Sequence, residues 1–144
     1  MSDADKLARN VAETLLAQEG TGPAFGIEIE EAREGYARVR MKVRADMLNG
    51  HAMTHGGMIF LIADTAFAYA CNSRNVSTVA QNANISFLAP SKEGDVLVAE
   101  AQETALVGRS GVYQISVRTT DGVHVAEFTG LSRSIGGPVV ASQN

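Results

Sequence analysis

Residues His55 to Asn72 read HGGMIFLIADTAFAYACN. Two glycines open the stretch, and an almost wholly apolar run of about four helical turns follows. It falls short of the ~20 residues a membrane span needs. A helix apolar on all sides is buried on all sides, yet Asp64 stands in the middle of this one. Burying a carboxylate without a partner is costly. The stretch therefore predicts a central core helix and asks for a functional reason to keep Asp64.

The flanks are of two kinds. Upstream, Ala4 to Gln18 places Leu7, Val11, Leu15 and Ala8, Ala12, Leu16 at helical spacing, with Glu19-Gly20 as a stop and a loop from Gly20 to Pro23. Ile27 and Ile29 alternate with Glu28 and Glu30, and Val39, Met41 and Val43 with Arg38, Arg40 and Lys42, a hairpin turning at Gly35. Ala45 to Thr54 reads as a loop with a short turn at Asp46 to Leu48, and Thr54 or His55 as the helix cap.

Downstream, four strands are expected: Val76 to Leu88, Val96 to Thr104, Val112 to Thr120 and Val123 to Ser134. The last two are joined by an Asp121-Gly122 hairpin signal. The short connections predict that the four are antiparallel neighbours. One domain over residues 1–144 is expected, with a helix within 1–20 and a flexible Gly/Pro-bearing tail at 136–144. A curved antiparallel sheet wrapped around one apolar helix, an α+β architecture, best covers that helix, and a second copy beside it would complete the cover. Alternating strands exclude a helix bundle, and no helices alternate with the later strands as a doubly wound fold requires.

Hydrophobic residues make up 45% and charged residues 19%, ordinary for a globular protein. A net charge of −4 offers no global attraction to nucleic acid or an anionic membrane, so an anionic ligand must be held by local Lys or Arg. The single cysteine, Cys71, excludes an internal disulfide and suits a reducing compartment. With no signal-peptide pattern at the N-terminus, a cytoplasmic location is expected.

Gly56 and Gly57 leave the first amides of the helix open to close approach, where the helix dipole favours negative charge. A thioester or ester carbonyl placed there would be stabilised as charge builds on it. The plainer reading is that the glycines permit tight packing. Asp64 lies eight residues beyond Gly56, ~12 Å along the axis. If both serve one reaction, two antiparallel helices must pair Gly56 of one subunit with Asp64 of another, as an isologous dimer does twice. Alternatively, Asp64 is structural, tied to a buried hydroxyl such as Thr65. Asn49, in the loop before the helix, could orient a water or thioester, or simply turn the chain with Gly50. His51, His55 and His124 lack ligand spacing for a metal. Gly108-Arg109-Ser110-Gly111 and Arg133 are candidates for holding a phosphate.

The sequence resembles the hotdog-fold thioesterases of the phenylacetate-degradation (PaaI) type from about Phe25 to Gly137. The likeness is carried by Met47-Leu48-Asn49-Gly50, His55-Gly56-Gly57, Ala63 through Asn72, Ile85-Ser86-Phe87-Leu88-Ala89-Pro90, Gly94-Asp95 and Ser134-Ile135-Gly136-Gly137. The resemblance implies a hotdog fold and an acyl-coenzyme A thioesterase acting on aromatic acyl groups such as phenylacetyl or hydroxyphenylacetyl. It needs no cofactor or metal. It also implies a homodimer with composite sites, assembled into a homotetramer. Gly56, with Gly57 adjacent, would polarise the carbonyl, Asp64 of the partner subunit would act as nucleophile or general base, and Asn49 would place water or thioester. Substrate contacts would fall to His55, Ser86, Phe87, Leu88, Pro90, Gly108, Arg109, Ser110 and Arg133. Two positions depart from relatives. Ala89 stands where an Arg is common, so a contact to the coenzyme A phosphates is either absent or supplied by Lys92 or Arg109. Asn82 stands where some relatives place a water-binding Ser or Thr, which leaves that role open. The alternatives are a non-catalytic acyl-coenzyme A binder on the same fold and, with no His beside Asp64 on the helix, a less favoured hotdog dehydratase.

Overall fold

A computed structural model describes residues 1–141. Helix α1 (Asp3–Gln18) is capped by Ser2, whose hydroxyl accepts the Asp5 amide. One further turn, α2 (Thr21–Phe25), occupies what the sequence predicts as loop, ending at Gly26 in the left-handed conformation (φ 67°). Five residues are too few to show an amphipathic period, so periodicity does not reveal this turn. Strands β1 (Glu28–Arg33) and β2 (Tyr36–Lys42) form the expected hairpin about Gly35. After a 3₁₀ turn at Ala45–Met47 comes α3 (Gly56–Cys71), then β3 (Thr78–Phe87), β4 (Val96–Val107), β5 (Ser110–Thr119) and β6 (His124–Ser134).

All six strands form one antiparallel sheet in the order β1-β2-β4-β5-β6-β3. One expected pairing fails. Although only a short loop joins them, β3 does not pair with β4 but crosses to the far edge beside β6. The Ala89-Pro90 segment and the buried Ser91, whose carbonyl accepts the Thr54 amide at 2.8 Å, anchor that loop to the entry of α3 instead.

The inner sheet face closes on α3. Val39, Met41, Leu97, Ala99, Ile115, Val117 and Phe128 are fully buried against Ile62, Ala63, Ala66 and Phe67. Gly130 allows the tightest approach, because a Cβ there would lie 2.6 Å from the Phe67 ring. The cover is incomplete within one chain. Leu61, Asp64, Ala68 and Cys71, spaced three and four apart on one face of α3, stay half-exposed. Beyond Gly137 the chain is held to Asn75, whose Oδ1 accepts the Val139 and Val140 amides at 2.9 Å each. Residues 142–144 of the expected tail lie outside the described residues.

Candidate active site

The N-terminus of α3 is built by its own cap. His55 has extended backbone (φ −61°, ψ 135°), and its Nδ1 accepts the Gly57 amide at 2.8 Å. Met58 donates to the His55 carbonyl at 2.9 Å, and His55 in turn donates to Met47 at 2.8 Å. The Gly57 amide is therefore occupied, contrary to its expected share in carbonyl polarisation, whereas the Gly56 amide has no acceptor among the described residues. Asn49 stands nearby. Its Oδ1 accepts the His51 and Met53 amides at 2.9 and 3.2 Å, which fixes the amide orientation and turns Nδ2 away from the loop. Asn49 thus has the structural role weighed for it and keeps a donor to spare.

Asn49, Gly56, Phe87, Leu88 and Pro90 come together around one cleft of about 340 Å³, with Met53, Thr54, Ile59 and Ala89. Phe87 is 55% exposed, yet its ring edge lies 3.1 Å from where a Cβ on Gly56 would sit, so it roofs the helix terminus. Lys92, two residues beyond Pro90, is exposed and does not line the cleft; its amide donates to Asp95 Oδ2 at 3.0 Å.

Asp64 is elsewhere. It lines a separate groove of about 470 Å³ between α3, the start of β3 and the α1–α2 junction. None of the other sequence-predicted site residues lines it. Burial pushes the Asp64 carboxyl above its usual range, and no hydrogen bond or ion pair among the described residues offsets this. Thr65, the hydroxyl weighed as its structural tie, donates instead to the Leu61 carbonyl at 2.7 Å. The Cys71 thiol on the same wall is pushed up to about 12, chiefly by burial and further by the Asp64 charge, so it is not a thiolate nucleophile.

Leu15, Glu19, Thr21, Tyr69, Thr78 and Ala80 complete the groove and were missed from sequence. Tyr69 is buried and donates to Glu19, which also accepts the Thr21 hydroxyl at 2.8 Å. A lone phenol in an apolar helix was the available signal, since buried Tyr hydroxyls seek a partner.

Asn82 lies beyond a break in the strand register. Uniform alternation would put it on the same face as Thr78 and Ala80, but the register slips between Ala80 and Asn82. After this bulge Asn82 pairs with Leu131 and Ser86 with Glu127 on the outer face, while Ala83 and Ile85 turn inward. Asn82 and Ser86 therefore point away from α3 of their own chain. Gly108 and Arg109 form the two-residue turn between β4 and β5 and line a third cavity at the opposite end of α3. Ser110 pairs with Arg133 beside it, so these four residues cluster far from Gly56. Among the described residues no group of three or more His, Cys, Asp or Glu is placed to hold a metal ion, and no helix is long and apolar enough to cross a membrane.

The model of the thioesterase superfamily matches residues 51–126, from the loop before α3 to β6. The acyl-coenzyme A thioesterase PaaI of Escherichia coli is 44% identical over 128 residues, covering 89% of this chain and 91% of that protein. The structure of E. coli PaaI, from the phenylacetic acid degradation operon, superimposes with a TM-score of 0.92 over 94% of this chain and 99% of that one. A mutant of the phenylacetic acid degradation protein PaaI from Thermus thermophilus (33% identity, TM-score 0.78) covers 81% of this chain and 100% of its own. A hypothetical thioesterase with coenzyme A from Streptococcus pneumoniae (25% identity, TM-score 0.75) covers 78% and 90%. With a six-stranded sheet closed on a helix that opens at His-Gly-Gly and carries Asp64, this chain has the PaaI hotdog fold and belongs to the thioesterase superfamily.

Proposed function

We propose that the protein hydrolyses acyl-coenzyme A thioesters, with aromatic acyl groups such as phenylacetyl or hydroxyphenylacetyl as substrates, at sites shared between two subunits. One observation carries the reading. The open Gly56 amide and Asp64 lie on one helix but face different cavities, ~12 Å apart along the axis. A single chain has half a site at each place. The half-exposed stripe of Leu61, Asp64, Ala68 and Cys71 supports an antiparallel helix partner. So does β3, paired to β6 on one side alone, because an unpaired edge recruits another chain. The partner would bring Asp64 to the cleft holding Asn49, Gly56 and Phe87.

In that assembly the Gly56 amide takes up negative charge on the thioester oxygen as the carbonyl is attacked. The carboxylate of Asp64 of the partner subunit either attacks the carbonyl, expelling the coenzyme A thiolate and leaving a mixed anhydride that water hydrolyses, or takes a proton from a water that attacks the carbonyl and expels the thiolate. The products are the free acid and the coenzyme A thiol. Asn49 Nδ2 is positioned to donate to water or to the acyl oxygen. No metal or organic cofactor takes part. The exposed Lys92, two residues beyond Pro90, and Arg109 near the far end of α3 supply local cations for the coenzyme A phosphates, and two dimers would make a tetramer. The unpaired cysteine fits a cytoplasmic setting.

Subunit mixing tests the composite site. Asp64→Asn and Gly56→Pro homodimers should both be nearly inactive, while random reassortment makes half the dimers mixed, each with one intact site, and restores about a quarter of full activity. If heterodimers form and the mixture stays inactive, the shared site is wrong. Absence of thiol release by the native chain across a panel of acyl-coenzyme A substrates would instead mark a binder.

A further inference from the structure

The groove beside Asp64 does not end in the protein interior. Cys71 and Thr78 stand in its wall, and the same two residues line a second cavity of about 360 Å³, the one around Gly108 and Arg109, with Arg74, Ser132 and Ser134 on its polar side and Val76, Leu106 and Ile135 on its apolar side. Among the described residues, Cys71 and Thr78 are the only two common to both cavities. Seven residues separate Asp64 from Cys71, so Cys71 lies on the same face of α3 and ~10 Å further along it.

The partition is firmly built. Asn72 clamps the backbone of Thr78 from both sides, its Oδ1 accepting the Thr78 amide at 2.9 Å and its Nδ2 donating to the Thr78 carbonyl at 3.0 Å. The Thr78 hydroxyl donates to the Val76 carbonyl at 2.7 Å and lies 3.3 Å from Ser134 Oγ. Behind them the second cavity is largely apolar on the side of Leu106, Val76 and Ile135, which are 46%, 43% and 65% exposed. An uncharged thiol and a tethered hydroxyl are small wall groups, and neither has a role in the proposed chemistry.

We infer that Cys71 and Thr78 form a septum that sets the length of acyl group the Asp64 groove accepts, with the second cavity as the space a longer chain would enter. The inference rests on the reading of that groove as the acyl site of an acyl-coenzyme A thioesterase. Shortening the septum should join the two cavities, and thickening it should shorten the groove. Each methylene newly admitted to apolar surroundings should raise kcat/KM about fourfold, from the usual value of methylene burial.

The experiment is a kcat/KM profile over straight-chain acyl-coenzyme A thioesters of increasing length. It compares the native protein, the double variant Cys71→Ala, Thr78→Ala, and the single variant Cys71→Leu. The double variant should move the length cut-off to longer chains, raising the ratio of longest to shortest substrate at least tenfold. Cys71→Leu should move it the other way. Because one variant empties the wall and the other fills it, loss of folding in either leaves the other as the test. An identical cut-off in the native protein and the folded variants overturns the septum while leaving the thioesterase reading intact. No thiol release by the native protein from any member, nor from phenylacetyl-coenzyme A run beside them, overturns both.

Discussion

The Nδ1 atom of His55 accepts the Gly57 amide at 2.8 Å, so an imidazole rather than a hydroxyl or carboxylate closes the first turn of α3. An accepting Nδ1 carries no proton, which places the ring hydrogen on Nε2. The cap removes Gly57 from competition for an incoming oxygen and leaves Gly56 as the open donor. His55→Ala should destabilise the fold by about 1 kcal/mol, the usual worth of a helix cap. It should also lower kcat more than it raises KM, because the reacting oxygen would meet a looser first turn. His55→Asn, which restores a capping oxygen, should recover most of the lost stability. Thermal unfolding with steady-state thiol release on the same samples checks both effects.

Gly56 occupies the first position of α3, where proline is tolerated because the lost N–H has no helical partner. The extended His55 backbone, φ −61° and ψ 135°, also suits a residue that precedes proline. A Cβ at Gly56 would meet only the Phe87 ring, 3.1 Å away and 55% exposed. Gly56→Pro should therefore delete one amide and little else. If that amide holds the oxyanion, kcat falls by about 10²–10³ with the melting temperature nearly unchanged. Gly57→Pro is the contrast, since it destroys the bond to His55 and should cost stability as well. Retention of full kcat in a folded Gly56→Pro protein would remove Gly56 from the mechanism.

Features written in local sequence were the ones that could be read. The apolar run, the Gly-Gly opening and the following Asn72 mark α3 to within a residue, and Asp121-Gly122 and Gly35 mark their turns. The placing of Gly56 and Asp64 at separate cavities along α3 also followed from helical rise. What depended on partners distant in the chain was not legible. Nothing in Val79-Ala80-Gln81-Asn82 announces the bulge, yet that one extra residue reverses the faces of Asn82 and Ser86. The placement of β3 against β6 rather than β4 is decided by how the loop at Ser91 docks on Thr54. Likewise, Glu19 reads as a helix stop, and only the folded chain shows it bonded to Tyr69 in the wall of the Asp64 groove.

Asp64 has a folded-state carboxyl raised by burial with no partner to compensate. Its protonated form is favoured by folding, so its contribution to stability is fully present below the unfolded pKa and is lost as pH rises through the folded one. Activity runs the opposite way, because base or nucleophile must be ionised. Thioester hydrolysis should rise with pH along a limb displaced above the ordinary aspartate range. Asp64→Asn should abolish that limb and lower kcat by roughly 10³-fold or more, on the order expected for a group that acts directly. The same variant should melt higher than the native protein at neutral pH, with the gap closing as pH falls through the Asp64 titration. Melting curves of both proteins across pH test this. A native protein more stable than Asp64→Asn at neutral pH would mean that Asp64 is paired in solution.

The wall opposite Asp64 hangs on one hydrogen bond, from the buried Tyr69 hydroxyl to the Glu19 carboxylate. Burial, reinforced by the Glu19 charge, raises the Tyr69 phenol, so it remains a donor throughout the neutral range. The two ends of this bond are not equivalent. Glu19→Ala strands a buried hydroxyl, and an orphaned polar group costs about 1–3 kcal/mol. Tyr69→Phe removes the donor from the interior and leaves Glu19, at the half-exposed end of α1, able to turn to water and to keep Thr21. Glu19→Ala should therefore destabilise more than Tyr69→Phe. The double variant should resemble Tyr69→Phe alone, because no orphan remains, and denaturant unfolding of all three measures this coupling. Both single changes free the α1–α2 junction from α3, so both should raise KM for acyl groups filling the Asp64 groove. A short acyl group that never reaches the junction should be indifferent, which separates a groove wall from a general loss of folding.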